Sequence, residues 1–286
     1  MTSCSERVLN CDAEEYTWGG SEDERWFSVA PKPLLTDVNP ANFHELPCCG
    51  IKSNSHPGRR AKQCWMQSNS KFGLRAKVLL DPDGKPFGYM EYLPGEYAWR
   101  GVEARGYMFI HCLWIQSKQH QHKGWGSAMV EACLNDAKEA GMNGVAVVSR
   151  EGPWLADRRL YLSKGFEVVD TAPPDYELFV QKFKAGTANP AFKGSWDKKV
   201  ARYNRGLTII QSSQCPYISK FAAEVAETAE KEYGIKPRIV DIKSARGAQN
   251  APTPYAVFAL IYKGRLVADH QVSRTRFRNI MDKLTD

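Results

Sequence analysis

The stretch QHQHKGWGSAMVEACLNDAKEAG, residues 119–141, joins a polar, basic turn to a long amphipathic run. Trp125, Met129, Cys133 and Ala137 recur every four residues, with Val130 and Leu134 beside them, so a helix is predicted over 125–140 with Gly141 closing it. Gly124 and Gly126 stand at its start. The first amides of a helix lack intrahelical partners and carry the positive end of the dipole. Glycines there let an anion such as a pyrophosphate approach the backbone. A tight turn that binds nothing would use the same pair, so the glycines alone leave both readings open.

The flanking segments read as alternating strands and helices. Residues 74–80 and 87–93 are strand candidates around the turn DPDGKP, whose Asp, Pro and Gly favour a hairpin. Residues 106–115, GYMFIHCLWI, and 144–149, GVAVVS, read as buried strands. A short helix is expected over 153–166, between Pro153 and a closing glycine, and a further strand over 176–183. Residues 184–206 are basic, rich in turn formers and without sustained period, which suits a linker, packed on the preceding domain through Phe192 and Trp196. The pattern then restarts: strand 207–213, helix 217–234, strand 237–243, a hairpin over 255–270 turning at Lys263-Gly264, and a terminal helix. That β-α-β-β-β-α order is a domain of about 80 residues, within the usual size range. The expected organisation is a loose extension over 1–33, a first domain over 34–183, a linker over 184–206 and a second domain over 207–286, all of mixed α/β (α+β) class.

Composition narrows the function. The chain has 286 residues, 43% of them hydrophobic, so a sizeable core is expected. No apolar run reaches the roughly 18 residues of a membrane span, and the polar start lacks a secretory signal. The net charge of +7 fits an anionic ligand but is mild for a dedicated nucleic-acid binder. Eight scattered cysteines show no disulfide framework and suit a reducing cytoplasm. Cys48, Cys49, His56 and Cys64 match no common zinc spacing, so no metal site is expected.

Gln121-x-x-Gly124-x-Gly126 resembles the Q/R-x-x-G-x-G/A loop of the GNAT superfamily of N-acetyltransferases, and LYLSKGF (160–166) resembles its L-Y-x-x-x-G-F signature. The resemblance covers roughly residues 34–183 and implies the acyl-CoA N-acyltransferase fold with acetyl-CoA as co-substrate. It implies that Gln121, His122, Lys123, Gly124, Trp125, Gly126 and Ser127 hold the pyrophosphate, and that Leu113, Trp114 and Ile115 pair with the pantetheine arm. The connection from Ile115 to Gln121 is about a residue longer than the family pattern. The resemblance also places Tyr161 near the CoA sulfur as general acid. Tyr161 equally fits a core-facing aromatic.

N-acetylation also needs a base or a water chain to one, and a donor for the oxyanion. His111 alternates in phase with Leu113 and Ile115 and titrates near neutrality when unperturbed, so it is a base candidate beside a structural reading. Glu91 is its rival. Glu96, Tyr97, Trp99 and Arg100 are candidates for an acceptor pocket, the carboxylates attracting a cationic amine; a plain strand–turn–strand is the other reading. The expected acceptor is an amine, small molecule or peptide.

In the second domain, Gln214-Cys215-Pro216-Tyr217 runs from a strand into a helix. It resembles a thioredoxin or glutaredoxin C-P-Y-C site with Ile218 in place of the second cysteine, and NAPTPYAVF (250–258) resembles the cis-proline loop of that fold. A thiol at a helix start is expected to have a lowered pKa, which makes Cys215 a candidate reactive thiol. The tandem arrangement resembles the YoaP-like acetyltransferases. Two other readings remain: a CoA- or thiol-binding recognition protein without turnover, and a single-cysteine redox protein.

Overall fold

The DPDGKP turn forms because Asp81 accepts the N–H groups of Asp83 and Lys85 through Oδ1, at 3.0 and 2.7 Å, while Gly84 takes φ +74°. It joins two strands of a larger sheet. In this computed structural model, residues 33–39, 42–43, 49, 51, 53, 55–116, 118–152 and 154–285 are described. Almost all of the expected N-terminal extension, Cys48 and Pro153 lie outside them.

In chain order the first part comprises β1 (Leu34–Val38), α1 (Pro57–Ser70), β2 (Arg75–Leu80), β3 (Pro86–Pro94), β4 (Val102–Glu103) and β5 (Met108–Ile115). It continues with α2 (Trp125–Glu139), β6 (Gly144–Ser149), α3 (Arg158–Leu162), β7 (Glu167–Ala172) and β8 (Tyr176–Lys182). The main sheet has seven strands in the order β1-β2-β3-β5-β6-β8-β7. All neighbours are antiparallel except β5 and β6, which run parallel. Helix α2 buries Met129, Val130, Cys133, Leu134 and Ala137, the predicted stripe, against a cluster that includes Met90, Ile110 and Val147.

Two irregularities in β5 shape the molecule. Glu91 pairs with Cys112 but Tyr92 pairs with Ile110, so His111 is an extra residue, a β-bulge. The bulge shifts the alternation: Leu113 and Ile115 pack with the α2 side, while Cys112 and Trp114 pack with the opposite cluster. The expected phase of His111 with Leu113 and Ile115 is therefore broken at that residue. The parallel ladder between β5 and β6 also ends early, at Ile110 opposite Val147, so the two strands part.

The second part comprises β9 (Ala191–Phe192), α4 (Trp196–Val200), β10 (Leu207–Ser212), α5 (Ile218–Tyr233), β11 (Arg238–Ile242), α6 (Ala245–Gln249), β12 (Phe258–Tyr262), β13 (Arg265–Ala268) and α7 (Arg274–Thr285). Its sheet has the order β11-β10-β12-β13, with β10 parallel to β11 and antiparallel to β12. Lys263 and Gly264, at φ +46° and +78°, make the predicted hairpin turn.

Three expectations fail. The segment read as a linker contains β9, which pairs with β4, and helix α4. Its expected packing on the first domain does hold: Phe192 pairs with Val102, and a Cβ at Gly101 would come within 2.6 Å of the Trp196 ring. The helix expected over 153–166 is confined to Arg158–Leu162, because Asp157 caps it through Arg159 N–H at 2.8 Å and Gly165 turns at φ +75°. The peptide bonds before Pro252 and Pro254 are trans; among the described residues the cis bond is Pro173-Pro174.

The described residues fall within one unit, Lys32–Asp286, and one apolar cluster draws on both sheets, Phe109, Val148 and Leu178 from the first and Ile209 and Leu260 from the second, together with Val225 of α5. Helix α1 also touches α5. A Cβ at Gly58 would lie 1.7 Å from the Pro216 carbonyl oxygen, so only glycine permits that approach.

Candidate active site

The polar turn enters α2 through left-handed residues, His122 at φ +59° and Gly124 at φ +82°. Gly124 is the helix N-cap, and nothing lies within 4 Å of where its Cβ would be. Its need for glycine is thus conformational. Gly126 is helical, and a Cβ there would meet Leu160 at an ordinary 3.5 Å. Gln121 reaches back to the Ile115 carbonyl at 3.4 Å, and His120 stacks on Phe87 with ring centroids 4.1 Å apart. Gln121, His122, Gly124, Trp125, Gly126 and Ser127 line a cavity of about 620 Å³ together with Leu113, Trp114 and Ile115. Its far wall is Leu155, Asp157, Arg159 and Leu160. Lys123 is exposed and does not line it.

A second cavity of about 350 Å³ shares Leu113, Trp114 and Leu155 with the first. It lies between the two sheets. Arg100, His111 and Cys112 face it from one side, and Gln214, Cys215, Tyr217 and Tyr255 from the other. Sequence reasoning placed Cys215 and Arg100 on separate domains without relating them. The structure brings both into one chamber, next to the parted ends of β5 and β6.

Beneath that chamber is a buried polar knot. Glu91, fully buried, accepts from Lys62 Nζ, Tyr89 OH and Gln214 Nε2, each at 2.5 Å. Lys62 also donates to the Gln214 carbonyl at 2.5 Å. Arg100 donates to the carbonyls of Trp99 and His111, at 2.8 and 2.7 Å, and to Gln214 Oε1 at 3.0 Å. The knot thus ties β3, α1 and the bulge in β5 to the segment leading into α5. Glu91, a base candidate by sequence, is engaged by three donors and does not line the cavity.

His111 is 3% exposed. Its Nε2 accepts the Trp99 backbone N–H at 2.8 Å, so the neutral ring carries its proton on Nδ1. Burial, reinforced by Arg100 and Lys62, holds its pKa well below the usual histidine value. The ring is therefore a neutral donor at neutral pH, and the lone pair a base would need is already occupied. This corrects the reading of His111 as a general base.

The expected acceptor cluster is dispersed. Tyr97 stacks on Phe72 with centroids 4.6 Å apart, and Glu96 sits in the same 3-10 turn, its carbonyl accepting from Gln249. Trp99 is buried and donates from Nε1 to Asn69 at 2.9 Å. Of the four, Arg100 alone lines the chamber. The carboxylates meant to attract an amine are not there.

Tyr161 is 2% exposed, packed against Phe166 and Phe179 with centroids 5.7 and 5.9 Å away. Burial raises its pKa, with further contributions from Cys112 and Cys133, so the phenol keeps its proton at neutral pH. It sits behind the cavity walls and lines neither cavity. Cys215 lies in the turn before α5, whose N-cap is Tyr217. Burial pushes its thiol up to about 11; the Tyr217 N–H and Lys62 only partly offset this. The expected lowering by the helix start is overturned by desolvation. Of the cysteines once weighed as metal ligands, Cys49 lies 4.0 Å from Cys112, Sγ to Sγ, and Cys64 is exposed. His56 instead caps α1 by accepting the Gly58 N–H. Among the described residues no three His, Cys, Asp or Glu side chains are grouped to hold a metal ion.

Lys62 and Gln214 escaped sequence reasoning. Gln214 stands beside a cysteine already singled out, but Lys62 has no local signature, since its partners are 29 and 152 residues away.

Two family models match separate stretches of the chain. Residues 41–166 match the model of the Acetyltransferase (GNAT) family, and residues 238–279 match the model described as YoaP-like. The first match falls within the seven-stranded part, which has the acyl-CoA N-acyltransferase fold, and the second falls within the smaller sheet domain that follows it. The chain is 27% identical over 247 residues to the Bacillus subtilis (strain 168) protein named uncharacterized N-acetyltransferase YoaP, covering 83% of this chain and 93% of that one. Among solved structures it is similar to the GNAT family N-acetyltransferase YhbS of Escherichia coli in complex with CoA, at 17% identity and a TM-score of 0.39, over 57% of this chain and 91% of that one. It is likewise similar to the PaiA N-acetyltransferase of Thermoplasma acidophilum in complex with coenzyme A, at 14% identity and a TM-score of 0.38, over 54% of this chain and all of that one (100%).

Proposed function

We propose that this protein is an acetyl-CoA-dependent N-acetyltransferase that moves an acetyl group to a primary amine by direct attack in a ternary complex. The observation that carries the reading is the parting of β5 and β6 after Ile110 and Val147, directly beside the left-handed entry to α2. The open edge of β5 offers backbone amides to the pantetheine arm, as an added strand would use them. The amides at Gly124–Ser127 receive the pyrophosphate. The acetyl group then lies toward the chamber between the sheets, where the amine enters.

The chain's own residues divide the work. A backbone N–H on the open edge of β5 meets the developing oxyanion. Tyr161, protonated at neutral pH, supplies a proton to the leaving thiolate, directly or through one water. Among the described residues no carboxylate lines the chamber, while Arg100 does, and this positive surrounding favours the neutral, nucleophilic form of the amine over its ammonium. The proton that the attacking nitrogen sheds returns through water to the Tyr161 phenolate, so the transfer balances without a dedicated base on the wall.

The order β10-α5-β11-α6-β12-β13-α7 supports a thioredoxin-like reading of the second sheet. A thiol-redox role draws less support, because Cys215 is raised by burial and Ile218 holds the place of a second cysteine. The free thiols of Cys64, Cys112, Cys133 and Cys215 support a reducing, cytoplasmic setting. No helix among the described residues is long and apolar enough to cross a membrane. The test is release of CoA from acetyl-CoA on addition of amines, with Gly124→Val as control; a folded wild-type protein that neither binds acetyl-CoA nor releases CoA with any amine would refute the proposal.

A further inference from the structure

We infer that the chamber between the two sheets takes an amine that also carries a carboxylate, an amino acid of small size, with the carboxylate held by His111 Nδ1–H and the Arg100 guanidinium. The inference rests on the acetyltransferase reading of the adjoining cavity and names the acceptor class for it.

Three observations converge on an anion. His111 lines the chamber and is 3% exposed, and its Nδ1 is buried with no hydrogen-bond partner. Because Nε2 accepts the Trp99 N–H, Nδ1 carries the proton, and a buried donor without an acceptor is costly unless a ligand completes it. Arg100 lines the same chamber at 2% exposure, and among the described residues no carboxylate forms an ion pair with it. The nearby carboxylate, Glu91, is taken by Lys62, Tyr89 and Gln214. The Arg100 guanidinium therefore carries a buried positive charge that no carboxylate among the described residues pairs with. Finally, no Asp or Glu among the described residues is on the chamber wall.

Size and lining set the class further. About 350 Å³ accommodates a small molecule, and Trp114, Trp154 and Tyr217 offer apolar faces to a side chain. Gln214 belongs to the segment that precedes α5, and its Oε1 holds Arg100 in place at 3.0 Å. The second domain thereby builds the acceptor end of the site.

The test is equilibrium binding to the full chain with CoA present, using matched probes: L-phenylalanine, its amide and phenethylamine, and the same three forms built on L-methionine. The acid of at least one set should bind at least tenfold tighter than its amide and its decarboxylated amine. Arg100→Gln and His111→Leu should erase that preference while calorimetry still records acetyl-CoA binding. Should either variant fail to fold, the wild-type comparison decides alone. Equal or tighter binding of the amides or decarboxylated amines, or no binding by either acid, overturns the inference. CoA release with decarboxylated amines but not with acids would overturn it and leave the acetyltransferase reading standing. Tight binding of an acid without CoA release by any amine would uphold the carboxylate site and sink the acetyltransferase reading instead.

Discussion

Replacing Lys62 by methionine removes one side of a buried ion pair and keeps most of the apolar stem. Lys62 and Glu91 are 1% and 0% exposed, and Nζ lies 2.5 Å from Oε2. Deleting one partner of such a pair strands the other charge without compensation, which costs about 3–5 kcal/mol. The same substitution leaves the Gln214 carbonyl without its 2.5 Å donor, adding about 1–3 kcal/mol if water does not replace it. A loss of at least about 3 kcal/mol is therefore expected, a large part of the 5–15 kcal/mol typical of a folded domain. Urea unfolding of Lys62→Met against wild type measures it. The double variant Lys62→Met/Glu91→Gln should recover most of the loss, since it removes the stranded charge. Because the knot ties α1 and β3 to Gln214, the single variant should also speed hydrogen exchange over 207–217. A single variant within about 0.5 kcal/mol of wild type, the level of an ordinary surface change, would refute the claim that this knot joins the sheets.

Gly124→Val must force a β-branched residue to φ +82° at the mouth of the loop cavity, and acetyl-CoA affinity by calorimetry should fall at least tenfold, about 1.4 kcal/mol. Tyr161→Phe keeps the ring and removes the proton donor; kcat should drop about 10²-fold with acetyl-CoA binding unchanged, and wild-type turnover would return Tyr161 to a packing role. His111 is held neutral in the fold, its pKa below the unfolded value of about 6.5, so its contribution is constant above that value. As pH falls below about 6.5 the unfolded chain takes up a proton the fold refuses, and stability should decline by up to about 1.4 kcal/mol per pH unit; denaturation of His111→Leu should lack that slope. Cys215, with its thiol pushed up to about 11, should react with iodoacetamide at pH 7 more slowly than exposed Cys64, and the rate should climb as pH is raised. Faster labelling of Cys215 than of Cys64 at pH 7 would contradict the burial argument.

What was legible in the sequence is what local chemistry encodes. The stripe from Trp125 to Ala137, the Asp-Pro-Asp-Gly turn and the Lys263-Gly264 hairpin each declare themselves over a few residues, and the structure has all three. Helix α1 was missed because its buried side includes Arg59, Lys62 and Asn69, which read as polar until their distant partners are known. The role of His111 was misread because a bulge leaves no mark in the alternation of GYMFIHCLWI; one extra residue moved its ring to the other face. The pKa of Cys215 was misjudged for a related reason. Helix position is local and visible, but the desolvation that dominates is set by tertiary burial, which the local sequence does not show. The acceptor chamber is assembled across a separation that no window of sequence spans.

The central claim is that an acetyl group passes from acetyl-CoA to an amine at the junction of the two sheets. Mass spectrometry of the full-length protein incubated with acetyl-CoA and a mixture of free amino acids tests it most directly. The account predicts an N-acetylated amino acid formed in equal amount with free CoA, and a rate about 10²-fold lower with Tyr161→Phe. Acetyl-CoA that is bound but left intact, or hydrolysed to acetate with no acylated amine, would contradict it.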